Sequence, residues 1–406
     1  MSNVEHGDLH LQEHVRPSPF VPGPLIPDFS PEKARDLRRT VASCPRYAPS
    51  PLRSLAGLAR ASGITAIDYK DESGRFGLGS FKALGGALAV GKAVQRSTGA
   101  EWSTGALTAR TIEASKGVRA PLTVTCATDG NHGKSVALGA RHFGARCVIF
   151  VHEHVAQERV DAIEALGAEV RRVTGTYDDA VKYAAATAER EGWSVISDTS
   201  WPGYETVSIE VMQGYLVLMD EIFGEDVDAA APYSHVFIQA GVGGLAAAVL
   251  GYLAACYGTH RPRVVVVEPT LAPCLFESAR TGELVTIEGT MDTAMAMLAC
   301  AQPSTIAWDI LRDLTDAFLV IDDATARAGV KLLATSPYGD LPIEAGESGA
   351  AGLGGCLTAL DRHREALSIR SDSRILLIGT EGALDRESFF QSTGLTVDQW
   401  LAQHAS

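Results

Sequence analysis

From about residue 121 the chain alternates short apolar runs with longer amphipathic segments. Leu122 to Cys126, Arg146 to Val151, Glu169 to Val173 and Ser194 to Ile196 read as strands, separated by helix-length segments of roughly 20 residues. The clearest of those helices is expected from His154 to Leu166, with Val155, Ile163 and Leu166 on one side and Gly167 as a stop. This rhythm predicts a four-stranded parallel sheet. A second series follows at His235 to Gln239, Arg263 to Val267, Ala317 to Ile321 and Arg374 to Ile378, with alanine- and leucine-rich helices between its members. Two apolar tracts, Leu245 to Cys256 and Met291 to Ala301, predict buried helices. The pattern as a whole implies an α/β protein of two doubly wound open-sheet domains. Its active site is expected in the cleft between them, because ligands of such sheets bind beyond the carboxyl ends of the strands.

The N-terminal part is less regular. Pro17, Pro19, Pro22, Pro24 and Pro27 prevent regular structure over residues 1–28 and suggest an arm lying on another surface. Ser30-Pro31-Glu32 reads as a helix start with proline in the first position. A helix is expected through Leu52, Leu55, Leu58 and Ala59, then a strand from Ile64 to Lys70 and a polar turn. Next comes Gly77-Leu78-Gly79-Ser80-Phe81-Lys82-Ala83-Leu84-Gly85-Gly86, where Ser80 is the expected N-cap and Phe81, Leu84 and Leu88 recur at helical spacing. Lys82 then sits in a first helical turn, where the helix dipole and burial beside Phe81 disfavour the ammonium and favour the neutral, nucleophilic amine. A Schiff-base lysine needs that form, although the segment alone also fits an ordinary surface lysine.

The loops after the strands carry the remaining candidate chemistry. Ala127-Thr128-Asp129-Gly130-Asn131-His132-Gly133-Lys134 opens a helix with glycines, an amide and a carboxylate, which suits an anionic or planar ligand or simply a tight turn with a capping aspartate. After Gln239, Gly241-Val242-Gly243-Gly244 presents bare backbone at a helix start. The run Gly241-x-Gly243-x-x-Ala246 also fits a dinucleotide fingerprint, with Glu268 where a ribose-binding acid would stand, so a nicotinamide-dependent oxidoreductase is a rival reading. Asp198 follows the strand at Ser194 to Ile196, and Thr380 follows the strand at Arg374 to Ile378; either fits a ligand contact or a local cap. His132 has no histidine or cysteine partner at metal spacing, and no metal site is expected.

Composition narrows the partners. A net charge of −14 argues against nucleic acid or an anionic membrane surface as the main partner. Seven scattered cysteines without C-x-x-C spacing read as reduced core residues of a cytoplasmic protein, and neither a secretory signal nor a membrane span is expected.

Taken together, Ser80-Phe81-Lys82, Gly130-Asn131-His132-Gly133 and Gly241-Val242-Gly243-Gly244 resemble, in that order, the lysine motif, asparagine loop and phosphate loop of the fold type II pyridoxal-phosphate enzymes. That family includes threonine dehydratase, serine racemase, cysteine synthase and tryptophan synthase β. Within it the chain looks most like the diaminopropionate ammonia-lyases, through Phe76 to Gly86, Ala127 to Ser135, Asp198 to Tyr204, Met212 to Tyr215, Glu347 to Ala350 and Gly379 to Gly382. It departs from them at Ala383-Leu384-Asp385, where their pattern has a Thr-Asp pair. The resemblance implies pyridoxal 5'-phosphate as cofactor, held covalently by Lys82. Gly241, Val242, Gly243 and Gly244 would bind its phosphate, Asn131 the ring 3-hydroxyl oxygen and Thr380 the pyridine nitrogen. It further implies α,β-elimination of 2,3-diaminopropionate of either hand, with Lys82 and Asp129 as bases on opposite faces and Asp198 holding the β-ammonium. A serine or threonine dehydratase of the same fold is the alternative. On this reading residues 86–199 form a small domain. Residues 1–85 and 200–406 form the large cofactor-binding domain, with 1–28 as its arm, and the protein is a homodimer with a small amino-acid substrate.

Overall fold

The computed structural model describes residues 11–13, 23–99, 122–128, 130–175, 177–224 and 230–404. Its strands in chain order are β1 (Leu11–Glu13), β2 (Leu52–Ser54), β3 (Ala66–Asp71), β4 (Thr123–Ala127), β5 (Arg146–His152), β6 (Glu169–Val173), β7 (Ser194–Val195), β8 (His235–Gln239), β9 (Arg263–Pro269), β10 (Ala317–Ile321) and β11 (Arg374–Gly379). The chain packs as two compact units. One comprises the described residues of Met1–Gly23, Pro51–Glu72 and Asp228–Ser406, the other those of Pro24–Ser50 and Ser73–Val227.

The first unit is built on a seven-stranded sheet of order β1-β10-β9-β8-β11-β3-β2. Its five central strands are parallel, and β1 and β2 are antiparallel edges. All four strands of the second predicted series are present. The strand expected at Ile64 to Lys70 is β3, which joins the same sheet as a fifth parallel member beside β11. Every residue of β8 and β10 is buried, as a sheet covered on both faces requires. The covering helices include Gly244–Tyr257, buried from Gly244 to Ala254, and Glu347–Arg362.

Three expectations for this unit need correction. Leu52 lies in β2, not in a helix: it pairs with Lys70, and the helix that follows is only Ala56–Ala61, its start held by Asp340, which accepts from Gly57 N at 2.6 Å and Leu58 N at 2.9 Å. The tract Met291 to Ala301 contains just the short 3-10 turn Ala296–Leu298. Its backbone donors are taken by side chains instead of a helical ladder, Ala294 N by Asp323 at 2.9 Å and Met297 N by Ser348 Oγ at 3.2 Å. Within the expected arm, Leu11–Glu13 is paired with β10, and Ile26–Phe29, in the other unit, is a 3-10 turn around Pro27; residues 1–10 and 14–22 lie outside the described residues.

The second unit holds a four-stranded, wholly parallel sheet of order β6-β5-β4-β7, from the strands of the first predicted series. The helix expected from His154 starts only at Gln157, because Val155 N closes a turn on His152 O at 3.2 Å. Residues 24–50, 73–85 and 200–227 belong to the same unit because their helices pack on one another. Pro31–Ala42 lies against Leu216–Phe223, and the lysine helix Lys82–Thr98 lies against Asn131–Phe143 and Thr206–Gly214. Gly85 makes the crossing with Thr206–Gly214 possible, and Gly86 the crossing with Asn131–Phe143. A Cβ on Gly85 would lie 2.6 Å from the Val211 carbonyl oxygen, and one on Gly86 2.7 Å from Ser135 Oγ. Among the described residues no helix is long and apolar enough to cross a membrane.

Candidate active site

In the second unit the loop before the lysine helix is held by a buried ion pair. Arg75 donates to both oxygens of Glu221, from Nη1 at 2.8 Å and Nη2 at 2.7 Å, and also to Ser50 Oγ at 2.9 Å. Glu221 in turn accepts from Tyr47 O–H at 2.8 Å. Next to this anchor Phe76 sits at φ +51°, a conformation that costs a non-glycine residue free energy and persists only where its surroundings enforce it. Breaking a buried pair by removing one partner leaves an uncompensated charge. Glu221→Ala is therefore expected to reduce unfolding free energy by about 3–5 kcal/mol in urea titration, and a loss below about 1 kcal/mol would show that the pair does not hold this loop.

Lys82 is the first residue of its helix. The N-cap is Phe81, one residue after the expected Ser80, although Ser80 Oγ still accepts from Lys82 N at 3.3 Å. Lys82 Nζ is bonded to Asp198 Oδ2. Strand order in the four-stranded sheet runs from β4 through β5 to β6 on one side and to β7 on the other, so the loops after β4 and β7 diverge at a topological switch point. Asp198 stands on the second of those loops, and Asn131 and His132 begin the helix that follows the first. Thr128 Oγ1 shapes the first by accepting from Gly130 N at 3.1 Å and Gly133 N at 3.2 Å, and Asn131 opens the helix Asn131–Phe143 as a buried residue. His132 ties the two loops together, its Nε2 lying 2.8 Å from the Ile196 carbonyl and its Nδ1 3.9 Å from Asp198 Oδ2.

Burial, against the opposing pull of Asp198, pushes the His132 imidazole below its ordinary value, so the ring is neutral at neutral pH. Burial alone would raise the Asp198 carboxyl, but the Lys82 ammonium and its hydrogen bond override this and hold it well below the usual carboxylate range. With His132 neutral, Lys82 is the cation that matters.

The first unit has its own switch point between β8 and β11, since β9 and β10 follow on one side of β8 and β11 and β3 on the other. The two loops there carry Gly241 to Gly244 and Thr380. Gly243 is the N-cap of the helix Gly244–Tyr257 at φ +93°, and a Cβ there would also lie 2.8 Å from Leu311 Cδ1. That helix start has no side-chain cap and no acidic residue in its first turn, and the loop before it is only partly buried. Such an arrangement of backbone N–H groups fits a phosphate. Thr380 is buried, and its hydroxyl accepts from Gln239 Nε2 at 2.8 Å and lies 3.4 Å from the Ser348 carbonyl. Gln239 reaches the Ile378 carbonyl as well, at 3.0 Å, and so locks the β8 and β11 loops together.

The structure thus brings Lys82, Asp198 and the Asn131 loop together in one unit, and the glycine loop and Thr380 together in the other. Asp129 lies outside the described residues. Glu268, the acid of the dinucleotide reading, is spent on a helix start: its carboxyl accepts from Leu275 N at 2.8 Å and Phe276 N at 2.6 Å, with its pKa pushed up to about 8 by burial. Thr128, Gln239 and the positioning role of His132 were missed by sequence reasoning. For Gln239 there was a signal, a lone amide ending the apolar run of β8.

Comparison with known proteins identifies the family. Residues 44–381 match the family model described as pyridoxal-phosphate dependent enzyme. The diaminopropionate ammonia-lyase of Escherichia coli K12 is 37% identical over 402 residues, covering 97% of this chain and 98% of that protein. A crystal structure of the Escherichia coli lyase in complex with an aminoacrylate-PLP azomethine reaction intermediate superposes with a TM-score of 0.83 at 33% identity, over 95% of this chain and 96% of that one. Another, in complex with D-serine, gives 0.85 at 33% identity over 98% of each chain. A family match spanning residues 44–381, most of the sequence, shows that this chain belongs to the pyridoxal-phosphate dependent enzymes.

Proposed function

We propose that this protein eliminates the β-amino group of 2,3-diaminopropionate. With water, one substrate molecule gives one pyruvate and two ammonia. The observation that carries this reading is the Lys82–Asp198 pair, which sets a carboxylate beside the lysine expected to hold the cofactor. Overall identity to the Escherichia coli lyase supports it.

Pyridoxal 5'-phosphate, when bound, supplies the electron sink that makes the α-proton acidic. Lys82 holds it covalently through Nζ, the amides of Gly241 to Gly244 bind its phosphate, Asn131 meets the ring 3-hydroxyl oxygen and Thr380 the pyridine nitrogen. Thr380 suits that last place because a hydroxyl, unlike a carboxylate, does not force protonation of the ring. Once its Nζ is committed to the cofactor, Lys82 no longer neutralises Asp198, and a buried carboxylate without a cation is costly. The substrate's β-ammonium restores the charge balance, which selects a β-amino over a β-hydroxyl leaving group. When the substrate's α-amine takes its place on the cofactor, Lys82 is freed and would take the α-proton on one face, with Asp129 as the base on the other, so that both enantiomers react. The protein acts in the cytoplasm as a homodimer in this proposal; its free cysteines support a reducing compartment.

The test is pyruvate formation from D- and L-2,3-diaminopropionate, serine and threonine, repeated with Asp129→Asn. Both diaminopropionate enantiomers are expected to react far faster than the hydroxy amino acids, and the variant is expected to lose one enantiomer by about 10²-fold or more. Faster turnover of serine or threonine would replace this reading with that of a dehydratase.

A further inference from the structure

The loop that carries Asp198 is secured at several points besides the contacts of the carboxylate itself. Tyr204 accepts from Ser197 N at 3.0 Å and donates to the Val195 carbonyl at 2.8 Å, so one phenol bridges the last residue of β7 and the residue just before Asp198. Ile196, between them, gives its carbonyl to His132. On the other side of Asp198, Thr199 N donates to Ser197 Oγ at 3.3 Å and Ser208 Oγ donates to the Thr199 carbonyl at 2.8 Å. Tyr204 is itself braced. Its ring stacks on Trp201 with centroids 4.2 Å apart and planes 11° from parallel, and its N–H donates to the Trp201 carbonyl at 2.8 Å. Burial raises the phenol above its ordinary value, so the O–H stays available as the donor to Val195.

We infer that Tyr204 is a positioning residue for Asp198, and through it a determinant of preference for a β-ammonium substrate. The backbone on either side of Ile196 has few ways to move while the phenol bridge is intact. The carboxylate two residues on therefore meets its cation in a single orientation. Without the bridge a partly buried N–H and a partly buried carbonyl lose their partner, and the loop relaxes where the ion pair needs precision. Trp201 alone cannot hold it, because stacking fixes the ring but not the strand end. The inference rests on the role given to Asp198 under the proposed function.

The test is a double-mutant cycle in the holoenzyme. Tyr204→Phe keeps the stack and removes the bridge, and it is expected to lower kcat/KM for 2,3-diaminopropionate about 20-fold, mainly through KM. The inhibition constant of D-serine, which brings no β-cation, is expected to move less than about threefold. Combined with Asp198→Asn, the same change is expected to cost less than about threefold further, since residues that act as a unit are not additive. Ser208→Ala, which releases the second latch, is expected to show the same pattern at about fivefold and serves if Tyr204→Phe folds poorly. Additive losses, or an equal loss for D-serine, would overturn the inference while leaving the role of Asp198 intact. An Asp198→Asn variant with undiminished activity would remove the reading beneath it, and the inference with it.

Discussion

Replacing Lys82 with alanine is expected to lower kcat/KM for 2,3-diaminopropionate by at least about 10⁴-fold, because one side chain is asked to do two jobs, covalent attachment and proton transfer. The structure puts it where both are feasible, at the first turn of a helix behind an anchored, strained loop and against a carboxylate. Lys134, on the helix that opens the asparagine loop, is not a substitute, since its Nζ donates to the Leu78 carbonyl at 2.9 Å and pins the lysine loop itself. Lys82→Arg is expected to fail equally: a guanidinium does not give up its proton and forms no such link. Steady-state pyruvate formation measures both, and a Lys82→Ala enzyme within tenfold of wild type would take Lys82 out of the chemistry.

The second large effect is expected at Asp198. Asp198→Asn keeps the shape of the side chain and removes its charge, and a lost charge-assisted hydrogen bond in a largely buried place costs about 3–4 kcal/mol, or 10²–10³-fold in kcat/KM. The loss should fall on diaminopropionate and spare D-serine, whose inhibition constant is expected to change less than about threefold. A parallel loss for both ligands would mean that Asp198 serves the fold of its loop and not the β-ammonium.

Much of this was legible in the residues. Strands buried on both faces are written as apolar runs between turn residues, which made β4, β5 and β8 to β11 readable, whereas β6 (Glu169-Val170-Arg171-Arg172-Val173) and β7 are only partly buried and were legible from the spacing between elements. The helix starts at Lys82 and Gly244 were readable from the glycines before them, while each segment by itself left its chemistry open. Other features carried no local signal. Leu52 looks helical by spacing, and only its antiparallel partner Lys70 makes it a strand. Met291 to Ala301 is as apolar as a buried helix, but Asp323 and Ser348, distant in sequence, satisfy its backbone. The helices of residues 206–223 carry no strand rhythm, and only their packing on the lysine helix and on Pro31–Ala42 places them in the smaller sheet's unit. Tyr204 ends one of the stretches that resemble the lyases, yet nothing in that stretch says that its phenol reaches back across Asp198.

The most direct test of the account is the visible absorption spectrum of the purified protein, recorded before and after borohydride and followed by peptide mass mapping. The expected result is an absorption band that borohydride abolishes, with the mass of the reduced cofactor on the peptide containing Lys82. A protein that stays colourless after addition of pyridoxal 5'-phosphate, or a cofactor mass mapped to another lysine, would contradict the assignment of Lys82 on which the rest depends.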